Sequence, residues 1–186
     1  KKFYKELADF CKQNNLILIF DEIQTGLGRT GKFWFSDILG VKPDIITCAK
    51  GLASGLPISA TIVKENIAMN IKNGQHGTTF GGGPVVCSAA IATIKEIKKI
   101  KDVSKKSDYI KTQLQKHPLV TKVHGEGLLL GIEVTKEQPD LINNCLKKGL
   151  IIGNSSKKTV FRIMPPLNIN YKEINQFLKI FLTTLS

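Results

Sequence analysis

The chain has 186 residues, 42% hydrophobic and 23% charged, enough apolar material for one or two packed cores and too much for a disordered chain. Its longest apolar run, 16–20, falls far short of the roughly 20 residues that span a bilayer. The formal net charge of +12 raises a nucleic-acid reading, but only Arg29 and Arg162 among the 27 basic residues are arginine, and the scattered lysines read as a solvated surface.

The four cysteines, Cys11, Cys48, Cys87 and Cys145, form no C-x-x-C pair and lie near no histidine at ligand spacing. They read as small hydrophobes of a reducing compartment, the cytoplasm, with no structural zinc or other metal and no disulfide framework. The chain opens on Lys1-Lys2-Phe3-Tyr4-Lys5, with no starting methionine and no apolar signal core, and reads as an internal cut of a longer protein.

Phe3, Leu7, Phe10 and Cys11 share one helical face, predicting a helix over 2–14. The run 16–20 has the texture of a strand covered on both faces. Residues 26–43 are glycine-rich and read as a long loop with room for one helical turn. Strands are expected at 44–48 and, after the turn signal Gly55-Leu56-Pro57, at 58–63. A helix over 65–72 and a loop over 73–84 follow. Val86, Ala90, Ile94 and Ile97 then mark a helix over 85–100, with Pro84 suited to its first turn. Beyond it the texture changes to helix 104–117, strands 119–123 and 128–134, helix 141–148, strands 150–153 and 160–164, and a helix over 171–185 with a clean apolar stripe. Residues 1–100 therefore read as part of an α/β layer, and 101–186 as a small α+β domain joined to it by the 85–100 helix.

Three constellations bear on chemistry. Gly26, Gly28 and Gly31 match G-x-G-x-x-G, but five residues separate the strand from the first glycine and no helix opens within the motif, so a dinucleotide fold is rejected. Asp21-Glu22 ends a strand, where α/β folds place functional groups; a helix cap or a solvated loop acid is the bland alternative. Lys50 follows a strand and precedes Gly51-Leu52-Ala53-Ser54-Gly55. It is either one more surface lysine or a dehydrated amine able to attack carbonyls. A carboxylate and a lysine at neighbouring strand ends suit pyridoxal 5′-phosphate: the amine takes the aldehyde, and the acid keeps the pyridine nitrogen protonated. The run His76-Gly77-Thr78-Thr79-Phe80-Gly81-Gly82-Gly83-Pro84, before a helix start, suits a phosphate.

These residues resemble one family. Leu18-Ile19-Phe20-Asp21-Glu22-Ile23-Gln24-Thr25-Gly26, Gly28-Arg29-Thr30-Gly31, Pro43-Asp44-Ile45-Ile46-Thr47, Ala49-Lys50-Gly51-Leu52, the His76 run and Phe161-Arg162-Ile163-Met164-Pro165-Pro166-Leu167 resemble, in order and spacing, the class III pyridoxal-phosphate aminotransferases. The resemblance implies a fold-type I architecture: part of the large domain, plus the small C-terminal domain. It implies that Lys50 holds the cofactor and shuttles a proton, that Asp21 pairs with the pyridine nitrogen, that Ile23 covers a ring face, and that Gln24 bonds the phenolic oxygen. Thr79, with Thr78 beside it, would bind the phosphate of a partner subunit's cofactor in a homodimer, and Arg162 would receive a substrate carboxylate. The His76 run and Leu130-Gly131-Ile132-Glu133 look most like the branch that moves the terminal amino group of N-acetylornithine to 2-oxoglutarate, with glutamate as product; ornithine and 4-aminobutyrate branches are close. Gly83 and Ser59 depart from the family's common asparagine and glycine. The family's chain is about twice as long, and its earlier half carries the phosphate loop and the ring-stacking aromatic. The chain alone is therefore expected to be inactive, and a non-catalytic remnant that binds a partner half is the competing reading.

Overall fold

The computed structural model describes residues 1–186, and contacts divide the chain into two compact units. The first comprises Lys1–Gly28 and Lys32–Lys99; the second comprises Arg29–Gly31 and Ile100–Ser186. No helix is long and apolar enough to cross a membrane.

The first unit opens with α1 (Lys2–Gln13), followed by β1 (Ile19–Asp21), α2 (Phe35–Leu39), β2 (Ile45–Cys48), a 3-10 turn over Lys50–Ala53, β3 (Ala60–Val63), α3 (Glu65–Ala68) and α4 (Pro84–Ile97). The strands form a sheet in the order β1-β2-β3. β1 and β2 run parallel with Asp21 opposite Thr47, and β3 runs antiparallel to β2 with Cys48 opposite Ala60. Pro84 stands in the first turn of α4, where its missing N–H costs no hydrogen bond.

Strand β1 differs from the sequence expectation. It starts at Ile19 rather than Leu16, and Leu16, Ile17 and Ile19 remain 50–56% exposed. An apolar run signals a strand that has neighbours, but the neighbours must be supplied by other elements; here β1 is an edge strand with β2 on one side only. Helix α3 likewise ends four residues before the expected 72.

The second unit contains α5 (Val103–Leu114), β4 (Val120–Glu126), β5 (Leu129–Val134), α6 (Leu141–Lys147), β6 (Gly153–Asn154), β7 (Val160–Ile163) and α7 (Tyr171–Leu182). Its sheet is antiparallel, in the order β4-β5-β7-β6. Period-2 alternation sends Leu130, Ile132, Phe161 and Ile163 into a core with Ile110 and Leu114 of α5 and Ile174 and Phe181 of α7. A capping box starts α7: Glu173 N–H donates to Asn170 Oδ1 at 3.0 Å, and Asn170 N–H to Glu173 Oε2 at 2.9 Å. The expected strand 150–153 overlaps the observed β6, Gly153–Asn154, at Gly153 alone, because only these two residues pair with β7.

Candidate functional site

Asp21 is the last residue of β1, and its exposed carboxylate is oriented through one oxygen. Oδ1 accepts from Thr47 Oγ1 and from the Ile23 amide, both at 3.0 Å. Oδ2 carries no hydrogen bond and is available to a donor. The next residue points the opposite way, as alternation in extended chain requires. Glu22 is 2% exposed, and its carboxylate accepts from Ser36 N–H (2.8 Å), Phe35 N–H (2.6 Å) and Thr25 Oγ1 (3.1 Å). The two acids therefore separate into an outward group and a buried one.

The chain then turns sharply, Gly26 N–H donating to Glu22 C=O at 2.9 Å. A Cβ on Gly26 would meet both that carbonyl and the Trp34 ring at 2.9 Å, so only glycine fits. This turn carries half-buried Ile23 and exposed Gln24.

One strand over, β2 ends at Cys48, and Lys50 follows in the left-handed region at φ +49°. Leu52 and Ala53 anchor the 3-10 turn in a small core with Leu27, Cys48 and Ala90 of α4. A side chain held at positive φ by such packing marks stored strain of order 1 kcal/mol. Of the two alternatives the sequence leaves open for Lys50, this chain shows the exposed one, because no other part of the chain closes over it, and its amine has no hydrogen bond or ion pair. Two residues earlier, Cys48 is 1% exposed; burial pushes its thiol up, and the charge of Glu22 adds to the rise.

Asp21, Ile23, Gln24 and Lys50 thus gather at one end of the parallel pair β1-β2, where α/β sheets place ligands. Thr78 and Thr79 are exposed on the loop before α4, beside Phe80 at 92% exposure, and no hydrogen bond links them to Asp21, Gln24 or Lys50. Arg162 belongs to the second unit. It sits exposed on β7 between Gly131 of β5 and Gly153 of β6, and lines a cavity of about 560 Å³ with Met164, Glu173 and Phe177.

Glu22 and Arg29 stand outside the roles expected from sequence. The Arg29 guanidinium donates from Nη1 to the carbonyls of Leu128 (3.1 Å) and Pro165, and Leu128 N–H returns a bond to Arg29 C=O at 2.9 Å. Burial lowers its pKa from the ordinary arginine value. Two signals in the sequence bore on these residues: alternation past Asp21, and the scarcity of arginine in a lysine-rich chain. The cluster at the end of β1-β2 offers an amine for a carbonyl and an oriented carboxylate for a cationic nitrogen, and the loop before α4 offers hydroxyls for an anion. No group of histidine, cysteine, aspartate or glutamate side chains is arranged to hold a metal ion.

The sequence profile described as Aminotransferase class-III matches residues 1–185. The mitochondrial acetylornithine aminotransferase of Alnus glutinosa is 43% identical, over all of this chain and 43% of its own length. The acetylornithine aminotransferase of Clostridium acetobutylicum is 40% identical, over 97% of this chain and 49% of its own. Among solved structures, ornithine aminotransferase from Toxoplasma gondii superposes with a TM-score of 0.90 at 30% identity, covering 98% of this chain and 46% of that one. Acetylornithine aminotransferase from Elizabethkingia anophelis gives 0.88 at 33%, covering 98% and 51%. The chain spans about half the length of the curated relatives it matches.

Proposed function

Because this chain belongs to the class III aminotransferases, which work with pyridoxal 5′-phosphate, we propose that it forms the lysine-bearing part of an enzyme that moves the terminal amino group of N-acetylornithine to 2-oxoglutarate. The observation that carries the reading is the placement of Asp21 and Lys50 at the same end of two paired parallel strands. The donor set suits the cofactor: a free amine, a carboxylate with one oxygen unused, and two threonine hydroxyls. When bound, the cofactor supplies an electron sink for the carbon that loses its proton.

In this reading Lys50 holds the cofactor covalently and moves the proton at the reacting carbon. Asp21 Oδ2 accepts from the pyridine nitrogen while Thr47 and the Ile23 amide hold the carboxylate in place. Ile23 covers a ring face, and Gln24 bonds the phenolic oxygen. Thr79, with Thr78, serves the phosphate of a partner subunit's cofactor in a homodimer. Arg162 receives a substrate carboxylate, for which its planar fork is better suited than any of the surrounding lysines. Residues 1–100 belong to the cofactor-binding large domain and 101–186 to the small domain. The four free cysteines accord with a cytoplasmic setting.

Ornithine is the alternative donor, because ornithine aminotransferases stand among the structural neighbours at TM-scores of 0.86–0.90. The deciding experiment uses a protein of the relatives' full length that carries this chain. Loss of the bound cofactor's visible band is followed with acetylornithine, ornithine and 4-aminobutyrate. Acetylornithine is expected to react fastest; if 4-aminobutyrate does, the branch is wrong although the transaminase reading stands.

A further inference from the structure

We propose that Glu22 is a positioning residue of the cofactor site, holding the turn that bears Ile23 and Gln24 against the end of β2 and thereby orienting Asp21. This rests on the pyridoxal phosphate reading above. Every polar group of Glu22 is engaged. Its amide donates to Thr47 C=O at 2.9 Å, its carbonyl accepts from Gly26 N–H at 2.9 Å, and its carboxylate takes the three donors from Thr25, Phe35 and Ser36. Those partners come from three separate stretches of chain, so one buried residue fastens the turn 23–26 and the start of α2 to the sheet.

The link to Asp21 is direct. The amide that follows Glu22, that of Ile23, is one of the two donors on Asp21 Oδ1. Any shift of Glu22 moves that amide, and with it the direction in which Oδ2 points. No cation faces the Glu22 carboxylate; its charge is held by two backbone amides and a hydroxyl, an arrangement that demands two acceptor oxygens. Glutamine has only one, so its NH₂ would face the Phe35 or Ser36 N–H, donor against donor. The charge also reaches β2, since it adds to the rise of the Cys48 thiol two residues before Lys50.

The test titrates pyridoxal phosphate into the cofactor-free full-length protein and its Glu22→Gln and Glu22→Asp variants. The dissociation constant and the pH midpoint of the visible band are read beside the cofactor-free melting temperature. Glu22→Gln is expected to weaken cofactor binding about five- to a hundredfold and to move the pH midpoint, the range that follows from leaving a buried donor unpaired. Glu22→Asp, which keeps both acceptor oxygens, is expected to recover part of both. If the variants melt earlier but bind cofactor with unchanged affinity and pH midpoint, Glu22 is structural only and the proposal fails. Failure of both variants to fold likewise assigns Glu22 to the fold alone and overturns the proposal. Absence of a visible band in the unsubstituted protein would instead refute the cofactor reading itself.

Discussion

Adjacent residues with the same chemistry do different work here. Asp21 faces outward with a free oxygen, whereas Glu22 is buried and spends both of its oxygens on the loop. In the full-length holoenzyme, Lys50→Ala is expected to abolish the visible band, and borohydride reduction with peptide mapping should place the pyridoxyl group on Lys50; a label on another lysine overturns the assignment. Asp21→Asn is expected to keep the cofactor but to cut turnover on the order of a hundredfold or more, because an amide cannot hold the ring nitrogen protonated. Turnover at the unsubstituted rate would remove Asp21 from the site. Arg29 is a structural counterpart within the second unit, satisfying the Leu128 and Pro165 carbonyls. Arg29→Ala leaves both acceptors without that donor and is expected to lower stability by about 2–4 kcal/mol in denaturant titration.

At the scale of elements, one side chain ties the three strands of the first unit together at the end away from Lys50. Asp44 Oδ2 accepts from Leu18 N–H at 2.8 Å, and Oδ1 from Lys64 Nζ at 2.8 Å. The Leu18 amide, and then Lys64, hold its carboxyl below the usual aspartate range. A carboxyl lowered in the folded state contributes stability above its unfolded value, about 3.9, and that contribution is lost as pH falls through the folded value. Asp44→Asn is therefore expected to lower stability at neutral pH and to flatten its decline between about pH 4 and the acid limit. Identical acid limbs would show that the clasp contributes nothing. The β4-β5 hairpin depends on Gly127, at φ +54°, where a Cβ would meet the Arg29 carbonyl at 2.5 Å. Gly127→Ala should destabilise by more than about 1 kcal/mol, since it combines backbone strain with a steric clash.

The two units are unequal as folded bodies. The second buries an extended cluster from α5, α6, α7 and strands β4, β5 and β7, whereas the buried cluster of the first has five residues and that unit leaves Phe3, Phe10, Leu16, Ile17 and Ile62 exposed. Exposed apolar side chains around a three-stranded sheet with open edges favour association. Residues 100–186 expressed alone are therefore expected to melt cooperatively as a monomer, and residues 1–99 alone to aggregate. A cooperative monomeric melt of 1–99 would show that its small core suffices.

What the sequence by itself determined was local and periodic. Apolar stripes at helical spacing located α1, α4 and α7, and the order of short motifs around Asp21, Lys50 and Arg162 pointed to the class III aminotransferases. These signals survive in sequence because each depends on a few residues within one turn or one strand. Only the tertiary structure decided that β1 is a three-residue edge strand, that Glu22 turns inward to cap α2, that Arg29–Gly31 belongs to the second unit, and that Lys50 stands exposed at positive φ. Each of these depends on partners far along the chain, as Arg29 and Pro165 are, and a residue's own neighbours do not encode which distant carbonyl or amide will complete it.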